Sequence, residues 1–491
     1  MKRFLNKTLA VIAASLYLVG GVGCNKIKDF GDTNLNPNGT PIPVTAALFT
    51  RAIAELGGKE GGVPIALYTR PGYYAQYFSE TQYPASSLYS VPELNFNQFY
   101  SGFLYDLQNI INLNTDDATK GGVVGSGSNA NQIAVAKILK SYAFWTITDR
   151  WGDVPYSEAL QGLPTPKLDK QEDIYAGILK ELKDAVAGFD GGPAMKGDVI
   201  YDGNISNWKR FANSLRMLIA LRMSKVYPAP GGLAATEFAA ALADGGGSIS
   251  SNDQNAAINF PGGSYQHPLY VTYNVDGRVD DAVSSTMTDV LSSLSDPRIN
   301  KFGSTTTGFP YGINRDKAVN VAPGWGLILD GFDISDGQDI VLVNAATVLF
   351  ARAEAAERGW TTESAATLYN DAVIASLSQW GYGGSAAAYL AQSGVAYGAT
   401  DHLKKIGTQR WIAMYPDGLQ AWAEWKRTGF PVLTPAVDAT NDGKQIPRRF
   451  VYGTGELSTN KAAIDEAVSR IPGGVDDQDA RMCARVGIIE V

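Results

Sequence analysis

Acidic side chains are the residues of this sequence whose types and spacing first suggest chemistry. Hydrolysis of a glycosidic bond needs two carboxyl groups, one to donate a proton and one to act as base or nucleophile. Three pairs stand close together: Asp149 with Asp153, Asp280 with Asp281, and Glu354 with Glu357. Spacing alone does not put a sugar between them, and such pairs are commonly solvated faces or helix caps. Glu354 falls on an alanine-rich helix face, where a carboxylate needs a polar partner, so an internal structural bond is its expected role. Other reaction types find little support. The chain has no G-x-S-x-G, H-E-x-x-H, Walker or G-x-G-x-x-G pattern, so neither the nucleophile elbow nor a nucleotide cradle is present, and no cofactor is expected. Two histidines, His267 and His402, leave little room for a histidine-rich metal site, and none is expected. His402 follows Thr400-Asp401 at a helix start, which suits a capping or surface role. His267 precedes Pro268 in an aromatic loop and is a candidate ligand contact.

The two cysteines bear on location rather than catalysis. Cys24 and Cys483 cannot form a disulfide scaffold, so a core must stabilise the chain. Lys2, Arg3 and Lys7 precede the apolar run 9–19, followed by Gly20-Gly21-Val22-Gly23-Cys24. That run is long enough for a signal sequence and short for a membrane span. Small residues before a cysteine resemble the lipobox of bacterial lipoproteins, although Gly21 stands where leucine is usual. Residues 1–23 are expected to be a signal peptide, Cys24 the acylated residue, and 24–43 a tether. The alternative is plain secretion with Cys24 an ordinary buried thiol. From Cys24 on there are 38 basic and 49 acidic residues, a net charge of −11 without a Lys/Arg block. That balance disfavours nucleic-acid binding.

Helices must position whatever these residues do. Apolar residues recur at helical spacing in 131–150, in Tyr175–Val186, around Phe211–Ile219 before Pro228, from Val343 to Gly359, and around Leu368–Val373. Asp169 with Glu172 has capping-box spacing for the second of these. The last two form a helix–turn–helix pair, with Ala351, Ala353, Ala355 and Ala356 expected against Ala365, Ala366 and Ala372. Trp145, Trp151, Trp208, Trp411, Trp422 and Trp425 lie in periodic scaffold and are read as core. The expected fold is mostly α, a single domain over 44–491 built from tetratricopeptide-like helix pairs with long loop insertions.

Two stretches break the pattern. Residues 64–105 and 260–335 are rich in tyrosine, phenylalanine, asparagine and glycine without helical periodicity. Flat aromatic rings stack on the C–H face of a sugar, and amide, carboxylate and guanidinium groups meet its hydroxyls. Candidate ligand residues are Tyr73, Tyr83, Tyr89, Asn95 and Asn97 on one side. On the other they are His267, Tyr273, Asn274, Asp276, Arg278, Tyr311 and Trp325.

An ordered set of stretches resembles the SusD/RagB family of nutrient-binding outer-membrane lipoproteins, in its SusD-like branch. They are Asn34-Leu35-Asn36-Pro37-Asn38; Ala143–Pro155 (AFWTITDRWGDVP) with the Ile174–Leu182 helix; Tyr201-Asp202-Gly203 with Trp208–Arg222; and Ala351–Gly359 with Gln409–Ala413 and Gln420–Pro431. Ile446–Phe450 and Glu456…Asn460 complete the set. The C-terminal CARVGIIEV departs from the family's tryptophan-rich finish. The resemblance implies a helical-pair fold whose variable loops carry the ligand, and a SusC-like TonB-dependent barrel as partner. It implies a lipid anchor facing the cell surface and capture of an oligosaccharide, or of a peptide, without catalysis. A surface glycoside hydrolase and a scaffold that only stabilises its barrel are the competing readings.

Overall fold

The computed structural model describes residues 43–60, 63–64, 70–90 and 94–480; Cys24, the segment before it and Cys483 lie outside them. Ten helices carry the scaffold: α1 (Thr45–Gly57), α2 (Phe103–Thr115), α3 (Asn129–Trp151), α4 (Gln171–Gly188), α5 (Ile205–Arg222), α6 (Leu233–Leu242), α7 (Ala345–Glu357), α8 (Ala365–Gln379), α9 (His402–Ala413) and α10 (Gly418–Thr428). From α1 to α6 each helix packs on the next, α7 packs on α5, α8 and α9, and α9 on α10. This is the expected mostly α architecture of helix pairs.

Local chemistry sets the ends. Ser128, Asn204, Asn344, Ser364 and Asp417 each accept a backbone N–H from the first turn of α3, α5, α7, α8 and α10. Each such cap contributes ~1 kcal/mol. Gly429, at φ +76°, stops α10 in the left-handed conformation and returns its N–H to Trp425 O. Three sequence expectations are corrected. Val343 belongs to a strand, because Asn344 caps α7 and starts it at Ala345. Asp169 does not cap α4; its carboxylate takes the N–H groups of Tyr156 and Ser157 and the Ser157 hydroxyl, while Asp153 takes the N–H of Gln171. Ala366 is exposed and takes no part in the α7–α8 contact, where the expected Ala353 and Ala372 are joined by Ala346, Tyr369 and Val373.

α3 is buried on almost every side, as a central helix must be. The six scaffold tryptophans are all buried. Trp151 and Trp422 meet Phe450 at ring distances of 5.2 and 5.7 Å, and Tyr74 packs 5.4 Å from Trp422. Short strands tie in the irregular regions: β1 (Phe78–Glu80), β2 (Ala256–Ile258), β3 (Asp281–Val283) and β4 (Ile340–Val343). β1 pairs antiparallel with β3, Glu80 opposite Asp281 and Phe78 opposite Val283, and β2 pairs with β4. The short helix Arg70–Tyr74 lies so close to α10 that a Cβ on Gly418 would overlap Gly72 Cα. Among the described residues no helix is long and apolar enough to cross a membrane.

Candidate functional site

The β1–β3 pairing joins the two aromatic regions. It continues as Thr81 N–H donating to Asp280 O at 2.7 Å, which brings the turn carrying Tyr83 beside the segment carrying Arg278. Tyr83 is 53 % exposed. The guanidinium of Arg315 lies 5.2 Å from its ring centroid, and Arg278 is near enough to interact with it electrostatically. Arg278 is itself held by Asp280, whose carboxylate accepts from Nε at 2.7 Å; that bond raises the guanidinium pKa further. Arg315 opens the short helix Arg315–Ala318, and Ala318 packs in a small cluster with Phe309 and the half-buried Trp325. The ring of Trp325 stands edge-on to Phe309 at 5.3 Å. The pairing thus gathers one exposed aromatic ring, two guanidinium groups and a carboxylate, with the Phe309 and Trp325 cluster packed at the end of the Arg315 helix. Such a grouping can stack a sugar ring and hydrogen-bond its hydroxyls.

Four expected ligand residues belong instead to the core. Tyr73, Tyr89, Tyr273 and Tyr311 are buried. Tyr311 Oη donates to Tyr73 O at 2.7 Å and lies 3.1 Å from Tyr89 Oη, which accepts the N–H of Ala436. The Tyr73 hydroxyl donates to Asp281, and Tyr273 Oη accepts the N–H of Ile328 at 3.0 Å. Burial pushes the phenols of Tyr73 and Tyr311 well above the usual tyrosine value. The physical reason is that irregular segments have no amphipathic helix to bury, so tyrosines pack them down. His267 is also buried; its Nδ1 accepts the N–H of Leu269, and burial lowers its pKa to about 4. Asn95 and Asn97 are exposed and sit against the start of the short helix Thr454–Thr459, with Asn95 Oδ1 accepting the N–H of Asn97. Asn274 and Asp276 are exposed on the turn that leads to Arg278. Arg315 and Asp280 were not among the expected ligand residues; nothing in the run Asn314-Arg315-Asp316 marks a residue that will lie over Tyr83.

The carboxylate pairs are engaged elsewhere. Asp149 accepts from Tyr175 and Arg222, and Asp153 binds Arg470 Nε at 2.6 Å. Asp280 holds Arg278 and Asp281 takes Tyr73. Glu354 pairs with Arg427, and Glu357 with His402 at 3.0 Å. Glu80, opposite Asp281, accepts the N–H of Ser87 at 2.7 Å, and burial raises its pKa to about 7. Among the described residues no group of three or more His, Cys, Asp or Glu side chains could hold a metal ion.

Comparison with known proteins agrees with this architecture. No curated protein matches the chain. A solved chitin-binding protein is similar at 28 % identity and a TM-score of 0.72, over 89 % of this chain and 98 % of its own. A SusD homologue from Bacteroides uniformis is similar at 25 % identity and 0.76, with the same coverage. A chitin-binding SusD homologue from Flavobacterium johnsoniae shares the fold at 24 % identity and 0.74, again over 89 % and 98 %. The SusD-like family model, described as starch-binding and associating with the outer membrane, matches residues 37–453. The chain belongs to this SusD-like family of outer-membrane-associated, glycan-binding proteins.

Proposed function

We propose that the protein captures an oligosaccharide, without catalysis, on the surface formed by Tyr83, Arg315, Arg278, Asp280 and Trp325, with Asn274 and Asp276 at its rim. The observation that carries the reading is Tyr83, an exposed ring flanked by guanidinium groups where the two aromatic regions are paired. The starch-binding description of the family and a chitin-binding relative at 28 % identity support a glycan ligand. Each carboxylate pair considered for hydrolysis is occupied by arginine, histidine, tyrosine or backbone partners, which supports binding over bond cleavage. Association of the family with the outer membrane supports delivery to a SusC-like TonB-dependent barrel. The apolar run and the small residues before Cys24 support anchoring by a lipid on that cysteine.

Calorimetry with chitin and starch oligosaccharides tests the proposal. Tyr83→Ala and Arg315→Ala should each lower affinity by ~10-fold or more with an unchanged circular dichroism spectrum. Parent-like binding by both variants would put the site elsewhere. Release of reducing ends during long incubation would make the protein a hydrolase.

A further inference from the structure

A second cavity lies away from Tyr83. It has a volume of about 450 Å³ and is walled by β4, the Gln379–Trp380 end of α8, Arg410 of α9 and the segment from Met414 to Gln420. Trp145 and Leu218 of the scaffold and His267 of the loop region complete the wall. Gly337 and Asp339, both exposed, form its rim, so the cavity opens to solvent there. None of Tyr83, Arg278, Arg315 and Trp325 lines it.

Its lining is unusual in what remains unbonded. Trp145 Nε1, Trp380 Nε1, Arg410 Nε and Gln420 Nε2 are buried donors without a hydrogen-bond partner among the described residues, and Gln379 Oε1 is an acceptor in the same condition. Trp145, Arg410 and Gln420 are each more than nine-tenths buried. Buried polar groups are ordinarily satisfied, and several orphans around one cavity signal a missing partner. Two of these donors are oriented by the ionic cluster behind them. Gln420 Oε1 accepts from Arg222 Nη2 at 2.8 Å, which leaves the amide –NH₂ as the unmet end. Arg410 is committed through Nη1 to Glu424 at 2.7 Å, which leaves Nε. Donors exceed acceptors four to one, so the complement is rich in acceptor oxygens.

Charge narrows the class. In the cluster behind Gln420 and Arg410, the guanidinium groups of Arg222, Arg358, Arg410 and Arg427 are each already bound to a carboxylate of Asp149, Glu354 or Glu424. An anionic guest would find these guanidinium groups already taken, and a cationic one would face a wall of donors, so neither gains a counter-ion to offset its desolvation. The remaining wall is aromatic and aliphatic, with Trp145, Trp380, Leu218, Leu329 and Met414. An apolar hollow with a few converging polar groups, toward the small end of ligand pockets of ~300–1,000 Å³, is built for one small molecule.

We infer that this cavity is a second binding site, for a single uncharged, oxygen-rich molecule of about monosaccharide size. The inference is independent of the Tyr83 surface. Fluorine NMR of the full chain labelled with fluorotryptophan tests it, with resonances assigned by Trp145→Phe, Trp380→Phe and Trp325→Phe. Glucose and N-acetylglucosamine are the uncharged probes, and glucuronate is the charged one. The Trp145 and Trp380 resonances should shift saturably with at least one uncharged probe and ~10-fold more weakly with glucuronate. Gln420→Met should weaken that response by ~10-fold, whereas Tyr83→Ala should leave it unchanged and alter only the Trp325 response. Absence of a saturable shift at Trp145 and Trp380 in the parent protein up to ~100 mM of either uncharged probe overturns the inference, whatever the variants do. Equal affinity for glucuronate, or a crystal soaked in the probes that shows only water in the cavity, overturns it as well.

Discussion

Arg427 grips Glu354 with both ends of its guanidinium, Nη1 to Oε1 and Nη2 to Oε2, each at 2.5 Å and fully inside the scaffold. Arg427 Nη2 also reaches Glu424 at 2.6 Å, and Arg410 and Arg222 bind the same carboxylate. Burial alone would raise the pKa of Glu354 and Glu424, but Arg427, Arg410, Arg358 and Arg222 outweigh it and hold both below the usual carboxylate value. Glu354→Ala leaves the buried arginine cluster one carboxylate short, with Glu424 the carboxylate that remains to Arg427, and such breaks cost ~3–5 kcal/mol. Urea unfolding should show that loss. Glycan affinity of the folded fraction should be unchanged, and a variant with parent stability but lost affinity would move Glu354 into a binding site.

The same cluster fixes an acid limit. A carboxylate with a depressed folded pKa adds stability that is complete above its unfolded value and lost as pH falls through the folded one. Asp417 acts in the opposite sense. Burial raises its carboxyl to about 7, so the folded state holds a proton that the unfolded chain has already released. Stability should therefore fall as pH rises from about 4 to about 7. Asp417→Asn keeps an oxygen to cap α10 and removes the titration. Its Tm should drop less than the parent's between about pH 5 and about pH 8, and an identical drop would refute the assignment.

The two histidines should titrate far apart. His402 stacks on Tyr397 at 4.2 Å, with Nδ1 at 3.0 Å from Glu357 and Nε2 at 3.1 Å from Gly398 O. Both neighbours are acceptors, so the doubly protonated ring is favoured, and the bond to Glu357 leads the upward pKa shift. Burial takes His267 down to about 4. Proton NMR of the ring signals should resolve one histidine above and one well below the ordinary ~6.5. Two overlapping titrations would contradict both environments.

Tyr311→Phe should destabilise by ~1–3 kcal/mol, because it leaves the buried Tyr89 hydroxyl without its Tyr311 partner and takes one of two donors from Tyr73 O. Oligosaccharide affinity should not change. A Tyr311→Phe protein of parent stability that binds weakly would return this tyrosine to the ligand surface.

Gly418→Ala is expected to cost ~1–3 kcal/mol or more, since the new Cβ meets the backbone of Gly72 rather than a movable side chain. Thermal unfolding checks it; a parent-like Tm would mean that the Arg70–Tyr74 helix stands farther from α10.

Much of the scaffold was legible because helices write a 3.6-residue period into the chain, and the helices α3, α4, α5, α7 and α8 lie close to where it recurs. Glu354 was legible for a related reason, as an acid on an alanine face. The caps were less so: Asp169 and Glu172 have the right spacing, but tertiary partners at Tyr156 and Ser157 claim the Asp169 carboxylate. The loop aromatics were least legible. Tyr83 and Tyr89 sit six residues apart in similar company, yet one is half exposed and the other fully buried, and what separates them is Tyr311 and Ala436 from distant parts of the chain. Arg315 over Tyr83 is likewise a long-range contact that no local pattern announces.

The close seat of the Gly72 backbone against Gly418, together with the β1–β3 register, also bears on how a guest is received. A surface pinned at both its roots is organised before any sugar arrives, so association has little backbone ordering to offset. Its binding enthalpy should then vary with the number of sugar units engaged, while the heat-capacity change stays small, as expected where little new apolar area is covered.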